Sequence, residues 1–415
     1  MRHIPFMKAL AEVKDTSDPV WRDASAGYLV LRFFDRWLDD GPALASFDQT
    51  LPALKARLSS AEDVHPQVQT LLMTAVQTMI DAPGTNPASV AGPLLAYGHY
   101  LETASRFDLA AHVYQTLIDA LDPPSGCVDL PLAAMTLIRY GAVLRVSGDF
   151  DASRDAYRHA EILATKGNVV DLMLQSRVGM ANTLQGRGNL GESETLLDQV
   201  IADASIAGIV RVRAFATHTR GSIRTLRGKY VEAMTDFFEA YKMTEDVSEQ
   251  ERILNDLAVC AGEAGYRTMA RDAYRVLAYA ARTPIIRLIA FINLLEMAAQ
   301  DGDIANFERI QEHIRLHGQK HSLPIQYALS IALYTAYGAE RFGPREVAIA
   351  AYQEVIAQAR KTGMYQVVFN AEERLEILMS GPVTQSVPES REPPDSLRHM
   401  VDTIAEWGEL AVHTP

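Results

Sequence analysis

The stretch GDFDASRDAYRHA, Gly148 to Ala160, carries Asp, Ser, His and Arg within thirteen residues, a composition compatible with an active site. Two similar stretches follow at intervals of forty residues, GNLGESETLLDQV from Gly188 and GKYVEAMTDFFEA from Gly228. The glycine, an aromatic residue or Leu two places later and a large residue nine places later recur in all three. The Asp, His and Arg do not recur. This pattern predicts a structural repeat, with Ser153 at a packing position and the charged residues in solvent.

Four further stretches open in a similar way, so the chain holds seven units whose turns lie 37 to 43 residues apart. The turns are at Ser105, Gly148, Gly188, Gly228, Gly265, Gly302 and Gly343. Apolar residues at helical spacing precede and follow the turns, which predicts a pair of antiparallel helices in each unit. Glycine suits the left-handed backbone that ends a helix. Because one helix pair cannot cover its own apolar faces, the units are expected to stack.

Side-chain size also recurs at fixed distances from the turn. Small residues lie five places after it, at Ala110, Ser153, Ser193, Ala233, Ala270 and Ala348. Large residues lie eight or nine places after it, at Tyr114, Tyr157, Leu197, Phe237, Tyr274, Ile310 and Tyr352. Small residues let two helices approach closely, and large ones fill the space between neighbouring pairs. Phe307 stands at a small position and predicts an irregular sixth unit.

Gly or Ala also lies seven places before the turn in five units, at Gly98, Gly141, Ala181, Gly221 and Ala258. Taken together, these positions resemble the tetratricopeptide repeat (TPR) over residues 91–381. The period is near forty residues instead of about 34, similar to a longer variety found in bacterial regulators and scaffold proteins. The resemblance implies an all-α fold, a right-handed α-solenoid of stacked antiparallel helix pairs. It also implies a non-enzymatic scaffold that binds a protein or peptide on the face of its first helices.

Residues 1–90 are also helical in pattern and are expected to form an N-terminal cap with a degenerate repeat. Apolar residues from Trp21 to Trp37 predict one helix, which the Gly41-Pro42 breaker separates from a second helix around Phe47 to Leu58. This region shows no spacing typical of a DNA-reading helix-turn-helix.

The C-terminal end changes composition after Gly381. Residues 382–395, rich in Pro and Ser, predict an extended linker, and residues 396–412 predict an amphipathic helix. The apolar stripe of this helix includes Leu397, Val401, Ile404 and Trp407. Two placements are open: the helix caps the last helix pair, or it lies in a groove of its own or a neighbouring molecule and competes with a partner.

Composition and charge exclude several classes of protein. Hydrophobic residues make up 48% of the 415 residues and charged residues 22%, which is typical of a folded chain in water. No apolar stretch is long enough to span a membrane, and the N-terminal sequence lacks a signal-peptide pattern, so we expect a cytoplasmic protein without a membrane partner. A formal net charge of −13 argues against direct binding to nucleic acid.

The strongest candidate site is an arginine stripe on the first helix of the unit whose turn is at Gly228. It comprises Arg213, Arg220, Arg224 and Arg227, flanked by His218. These residues fall on one face at 100° per residue, and arginine pairs bidentately with carboxylates, so the stripe predicts an acidic ligand segment. The alternative is that the arginines tie repeats together by pairing with acids of adjacent helices, such as Asp198 or Glu232.

Asn182 and Gln185 match positions that line the inner groove in TPR proteins, where they would bond to a peptide backbone or face water. The predicted partner is therefore a protein or peptide, bound by a monomer or homodimer. The alternative function is a regulator that is switched by occupancy of its groove, including occupancy by its own C-terminal helix.

The sequence predicts no enzyme, no cofactor and no metal site. His313, His317 and His321 recur every four residues, and a His pair at this spacing can share a metal. We expect a solvated pair instead, because Gly318 predicts the end of the helix before His321. The sequence also has no phosphate-binding loop or nucleophile elbow, and Cys127 and Cys260 have no partner spacing.

Overall fold

A computed structural model describes residues 3–12, 19–40, 54–56, 58, 64–81, 85–122, 126–321, 323–381 and 389–413. The described residues form helices and contain no strand. Consecutive helices pack against each other in pairs, which confirms the predicted all-α solenoid of stacked helix pairs. Within these ranges, no helix combines the length and apolar character needed to cross a membrane. The chain divides into two compact units, Met1–Ala216 and Thr217–Pro415.

The first unit holds the helices up to the start of α10. They are α1 Ile4–Glu12, α2 Pro19–Asp40, α3 Pro66–Asp81, α4 Ala88–Thr103, α5 Phe107–Leu121, α6 Leu130–Val146, α7 Phe150–Lys166, α8 Val170–Gly186 and α9 Leu190–Ile206. Helix α10, Val210–Leu226, contains the division between the units. The core of the first unit is continuous from α1 to α7.

The second unit holds the remaining helices. They are α11 Tyr230–Met243, α12 Val247–Glu263, α13 Arg267–Ala280, α14 Pro284–Asp301, α15 Ile304–Lys320, α16 Ile325–Phe342, α17 Arg345–Lys361, α18 Tyr365–Ser380 and α19 Arg398–His413. A short 3₁₀ turn, Asp395–Leu397, precedes α19. In the repeats, the even-numbered helices from α4 to α16 are the first helices of each pair, and the odd-numbered helices from α5 to α17 are the second.

The backbone at the turns matches the glycine pattern, with one exception. Gly148, Gly188, Gly228, Gly265 and Gly302 have φ between 72° and 86°, and Ser105 has φ 57°. Gly343 instead has φ −114° and ψ −178°, so the expectation of a left-handed turn there is wrong. Pro344 follows directly, and the residue before a proline is restricted to extended backbone, which accounts for the difference.

Glycines and aromatic rings interlock between helices. A Cβ at Gly98 would lie 2.5 Å from the Tyr114 ring, and a Cβ at Gly179 would lie 2.0 Å from the Tyr157 ring. These rings therefore fill space that only glycine leaves open. Phe307 of the irregular sixth unit uses the same device, since a Cβ at Gly338 in the next first helix would lie 2.0 Å from its ring.

The N-terminal helices extend the first core. Helix α2 buries Leu31, Phe34 and Trp37 completely and packs on α3, which in turn packs on α4. The predicted breaker at Gly41-Pro42 lies outside the described residues. Of the predicted helix around residues 47–58, only residues 54–56 and 58 are described, with Leu54 and Leu58 buried.

Candidate functional site

Asp149 and Ser153 of the stretch at Gly148 have structural roles. Asp149 caps α7 by accepting the Ala152 N–H at 3.1 Å. Ser153 is completely buried, and its hydroxyl donates to the Gly141 carbonyl at 2.8 Å. Ser193 repeats this bond to Ala181 at 2.6 Å one unit later. The serine thus joins the two helices of a pair, as its position in the repeat predicts.

The arginine stripe is largely engaged by one carboxylate. Asp236 on α11 is only 2% exposed, and its oxygens accept hydrogen bonds from Arg220 at 2.6 and 3.0 Å and from Arg224 at 2.9 Å. Burial raises the pKa of Asp236, although both guanidinium groups act to lower it. The geometry matches the tie between helices, and for Arg220 and Arg224 Asp236 is a carboxylate that makes it.

The other predicted residues of this stripe have varied surroundings. His218 is buried, with Nε2 2.8 Å from an Asp256 carboxylate oxygen and its ring edge against Phe237. Arg213 is half-buried and Arg227 is exposed, and both take part in further interactions within the chain. His218, Arg220 and Arg224 of the stripe therefore already have acidic partners within the chain.

Asn182 and Gln185 lie together on α8 in the first unit. Both side chains are half-exposed, and neither makes a hydrogen bond within the described parts of the chain. They are accessible for bonding, and their role in binding a peptide stays a prediction.

A second polar surface, which the sequence did not single out, lies on first helices of the second unit. We call it the first-helix surface, and it comprises Asn255 on α12, Asn293, Glu296 and Gln300 on α14, and Tyr334 on α16. All five side chains are half-exposed. Helix α14 packs against both α12 and α16, so the three helices are neighbours. The signal in the sequence was the row of polar residues at intervals of three and four on a largely apolar α14.

Hydrogen bonding on this surface is incomplete. The side-chain oxygen Oδ1 of Asn255 is buried and has no hydrogen-bond partner among the described residues. The Asn293 amide donates only to the Ile289 carbonyl of its own helix, at 2.9 Å. A buried polar atom without a partner is costly unless a ligand or water satisfies it. The Asn255 and Asn293 side chains therefore have hydrogen-bonding capacity that the described residues do not use.

The C-terminal helix packs on second helices. Leu397 and Ile404 are buried, Val401 and Trp407 are half-buried, and α19 runs along α13. The Trp407 ring lies 5.2 Å from Tyr241 on α11. Of the two placements left open by the sequence, these contacts match a groove of its own molecule, formed by α11 and α13, and not a cap on the last helix pair.

The segment before this helix is also attached to α13. The Arg391 N–H donates to the Gly265 carbonyl at 2.9 Å, and the Ser390 and Thr268 hydroxyls lie 3.3 Å apart. The tail is therefore hydrogen-bonded through two successive residues, Ser390 and Arg391.

The histidine series lies on a longer helix than predicted. Helix α15 continues through Gly318 to Lys320, so the prediction that Gly318 ends it is wrong. A Cβ at Gly318 would lie 3.2 Å from the Leu323 side chain. Gly318 therefore leaves room for Leu323 to pack and does not form a turn. His313 stacks on Phe291 at 5.0 Å, and burial lowers its pKa. The described residues contain no cluster of three potential metal ligands.

Comparison with known proteins gives only distant similarities. No protein family and no curated protein matches the chain. A Rap protein complexed with competence and sporulation factor is 15% identical, with a TM-score of 0.43 over 86% of this chain and 98% of that chain.

The Rap conjugation gene regulator of plasmid pLS20, in complex with the Phr* peptide, is 14% identical, with a TM-score of 0.44 over 86% of this chain and 96% of that one. BtubC from P. vanneervenii is 11% identical, with a TM-score of 0.30 over 75% and 97% of the two chains. Similarity of this degree concerns helical architecture and carries no information about a ligand.

Proposed function

We propose that the chain is a non-enzymatic scaffold that binds an extended peptide or protein segment on the first-helix surface. The observation that carries the proposal is the half-exposed row from Asn255 through Asn293 and Gln300 to Tyr334, with an unsatisfied carbonyl oxygen at Asn255. Carboxamides both donate and accept hydrogen bonds, as an extended peptide backbone requires. The helices that hold them are already packed, so binding costs little ordering of the scaffold.

The acidic-ligand form of this proposal has less support than the peptide-binding form. It depends on the arginine stripe, in which Arg220 and Arg224 already bond to Asp236. The first-helix surface itself carries Glu296 and no basic residue. A ligand with acidic side chains would therefore gain little from this surface.

The regulatory alternative requires a ligand surface that a mobile element can occupy. The C-terminal helix lies on α11 and α13, which are second helices, and its buried residues contact that side. In this state the tail leaves the first-helix surface to an external ligand. Peptide binding therefore does not require displacement of α19.

The proposal predicts that carboxamide removal weakens peptide binding. Random heptapeptides are selected on the full-length protein by phage display, and the best binder is measured by fluorescence anisotropy. Because two hydrogen-bonding groups are lost, Asn255→Ala with Asn293→Ala should lower affinity by about tenfold or more. Asn370→Ala is the matched control, since Asn370 is also half-exposed but lies on α18 and bonds to Gln366.

Two results would overturn the proposal: failure of the wild-type protein to select any peptide, or equal affinity in the double variant and the wild type. Enrichment of Asp and Glu in the selected peptides would restore the acidic-ligand form. Enrichment of Lys and Arg would exclude it.

A further inference from the structure

Glu296 is a half-buried carboxylate without a direct counter-ion. It accepts a hydrogen bond from the Gln300 side-chain amide at 3.0 Å, and the nearby Tyr334 hydroxyl and Arg267 guanidinium oppose the rise of its pKa. Arg267 stops short of it, because its guanidinium donates to the Gln300 carbonyl oxygen at 2.8 Å and to Asp301 at 2.9 Å. Across the described ranges, no basic group lies within ion-pair distance of Glu296.

Two other Tyr–Glu pairs show what is missing here. The Tyr352 hydroxyl donates to Glu340 at 2.5 Å, and Arg374 donates to the other oxygen of Glu340 at 2.7 Å. In the first unit, the Tyr114 hydroxyl donates to Glu102, and Arg139 lies 3.9 Å from that carboxylate. Each of these pairs thus has an arginine as its third member.

The carboxylates of these sets and Glu296 occupy different positions of the repeat. Glu102 and Glu340 lie three places before their turns, at Ser105 and Gly343, whereas Glu296 lies six places before Gly302. The neighbouring first helix α16 brings the Tyr334 phenol to Glu296. A phenol does not neutralise the charge of a carboxylate.

The surroundings of Glu296 also suit a positive charge. Tyr334 packs edge-on against Tyr337 with ring centroids 5.6 Å apart, and Tyr274 lies within electrostatic range of Glu296, Asp256 and Glu263. Burial raises the pKa of Glu296 above its ordinary value. An ionised carboxylate in such a place is costly unless a cation joins it, and aromatic rings add to the attraction of a cation.

We propose that Glu296, with Tyr334 and Gln300, is the subsite for a cationic group of the bound peptide. The group is an ammonium or a guanidinium, supplied by a Lys or Arg side chain or by the peptide N-terminus. This inference rests on the proposed function, and it adds the charge of the ligand. The cation takes the place that Arg374 occupies beside Glu340.

The test uses pools of fluorescent heptapeptides in which one position is fixed as Lys, Arg, norleucine or Glu. Each pool is prepared with a free and with an acetylated N-terminus, and binding to the full-length protein is measured by anisotropy. Wild-type protein should bind a cationic pool about tenfold or more tightly than its norleucine counterpart. A preference that survives acetylation assigns the cation to a side chain, and one that acetylation abolishes assigns it to the N-terminus.

Glu296→Gln should abolish this preference while keeping the wild-type melting temperature. Glu346→Gln is the matched control, because it removes one negative charge from an exposed position on α17 and should change nothing. Glu296→Asp, which keeps the carboxylate, should retain a weakened preference. This series separates loss of the charge from a failure to fold.

The outcomes distinguish this inference from the proposed function. If wild-type protein binds peptides without preferring a cation, or if Glu296→Gln keeps the preference, the subsite is wrong and peptide binding stands. If no pool binds to wild-type protein, the proposed function fails, and the subsite fails with it.

Discussion

The arginine-bearing end of α10 and the polar face of α14 differ in whether their charged side chains form ion pairs within the chain. On α10, the conspicuous basic residues Arg220 and Arg224 share the buried carboxylate of Asp236. On α14, Glu296 receives a hydrogen bond from Gln300 and has no basic group of the described residues within ion-pair distance. The lesson is that a charge visible in sequence marks a ligand site only when the fold leaves it uncompensated.

The largest expected effect on stability comes from removing the Asp236 carboxylate. Asp236→Ala leaves two partly buried guanidinium groups without their carboxylate, and we expect a loss of about 3–5 kcal/mol in unfolding free energy. Urea denaturation of the full-length protein measures it. Asp402→Ala, at an exposed position on α19, is the control and should cost little. A loss below about 1 kcal/mol for Asp236→Ala would show that the arginines do not depend on this tie.

A smaller effect separates a completed Tyr–Glu–Arg set from an incomplete one. Glu340→Gln takes the carboxylate from Arg374 and should destabilise the protein by about 1–3 kcal/mol, because a charged hydrogen bond is lost. Glu296→Gln breaks no ion pair and should leave stability unchanged or slightly raised. Thermal unfolding of the two variants checks this. An equal loss in both would make Glu296 a structural tie of the same kind as Glu340.

The smallest effect is a difference in pH dependence between wild type and Glu296→Gln. Burial raises the folded-state pKa of Glu296 above the ordinary 4.5, so the folded state holds its proton to higher pH than the unfolded state does. Stability from this group is therefore lost as pH rises from 4.5 through the raised value. Wild type should gain stability relative to Glu296→Gln on acidification from pH 7 towards 5, measured by urea midpoints. The opposite sign would contradict the assigned shift.

The repeat could be predicted from the sequence because its positions depend on residues close together in the chain. Helix pairs follow from apolar spacing, and Ser153 and Gly98 reflect the space available between two helices of one pair. The partner of Arg220 was not readable, since several acids on the next helices lie at similar sequence distances and only side-chain geometry selects Asp236.

The candidate site was harder to predict for a related reason. Glu296 is distinguished by the lack of a direct ion pair among the described residues, and this depends on where the Arg267 side chain is directed, which the sequence does not determine. The helices on which α19 packs could likewise not be predicted, because they are distant from it in the sequence. Its apolar stripe predicts that it docks, but the stripe fits α13 instead of the last pair.

The attachment of the tail to α13 has a consequence for how the chain is made. Arg391 bonds to Gly265, so residues 126 positions apart must meet before the second unit is complete. Hairpins up to α18 can form as they leave the ribosome, but the groove on α11 and α13 stays uncovered until α19 has been synthesised. A product truncated before α19 would display the Phe238 and Tyr241 rings that Trp407 covers.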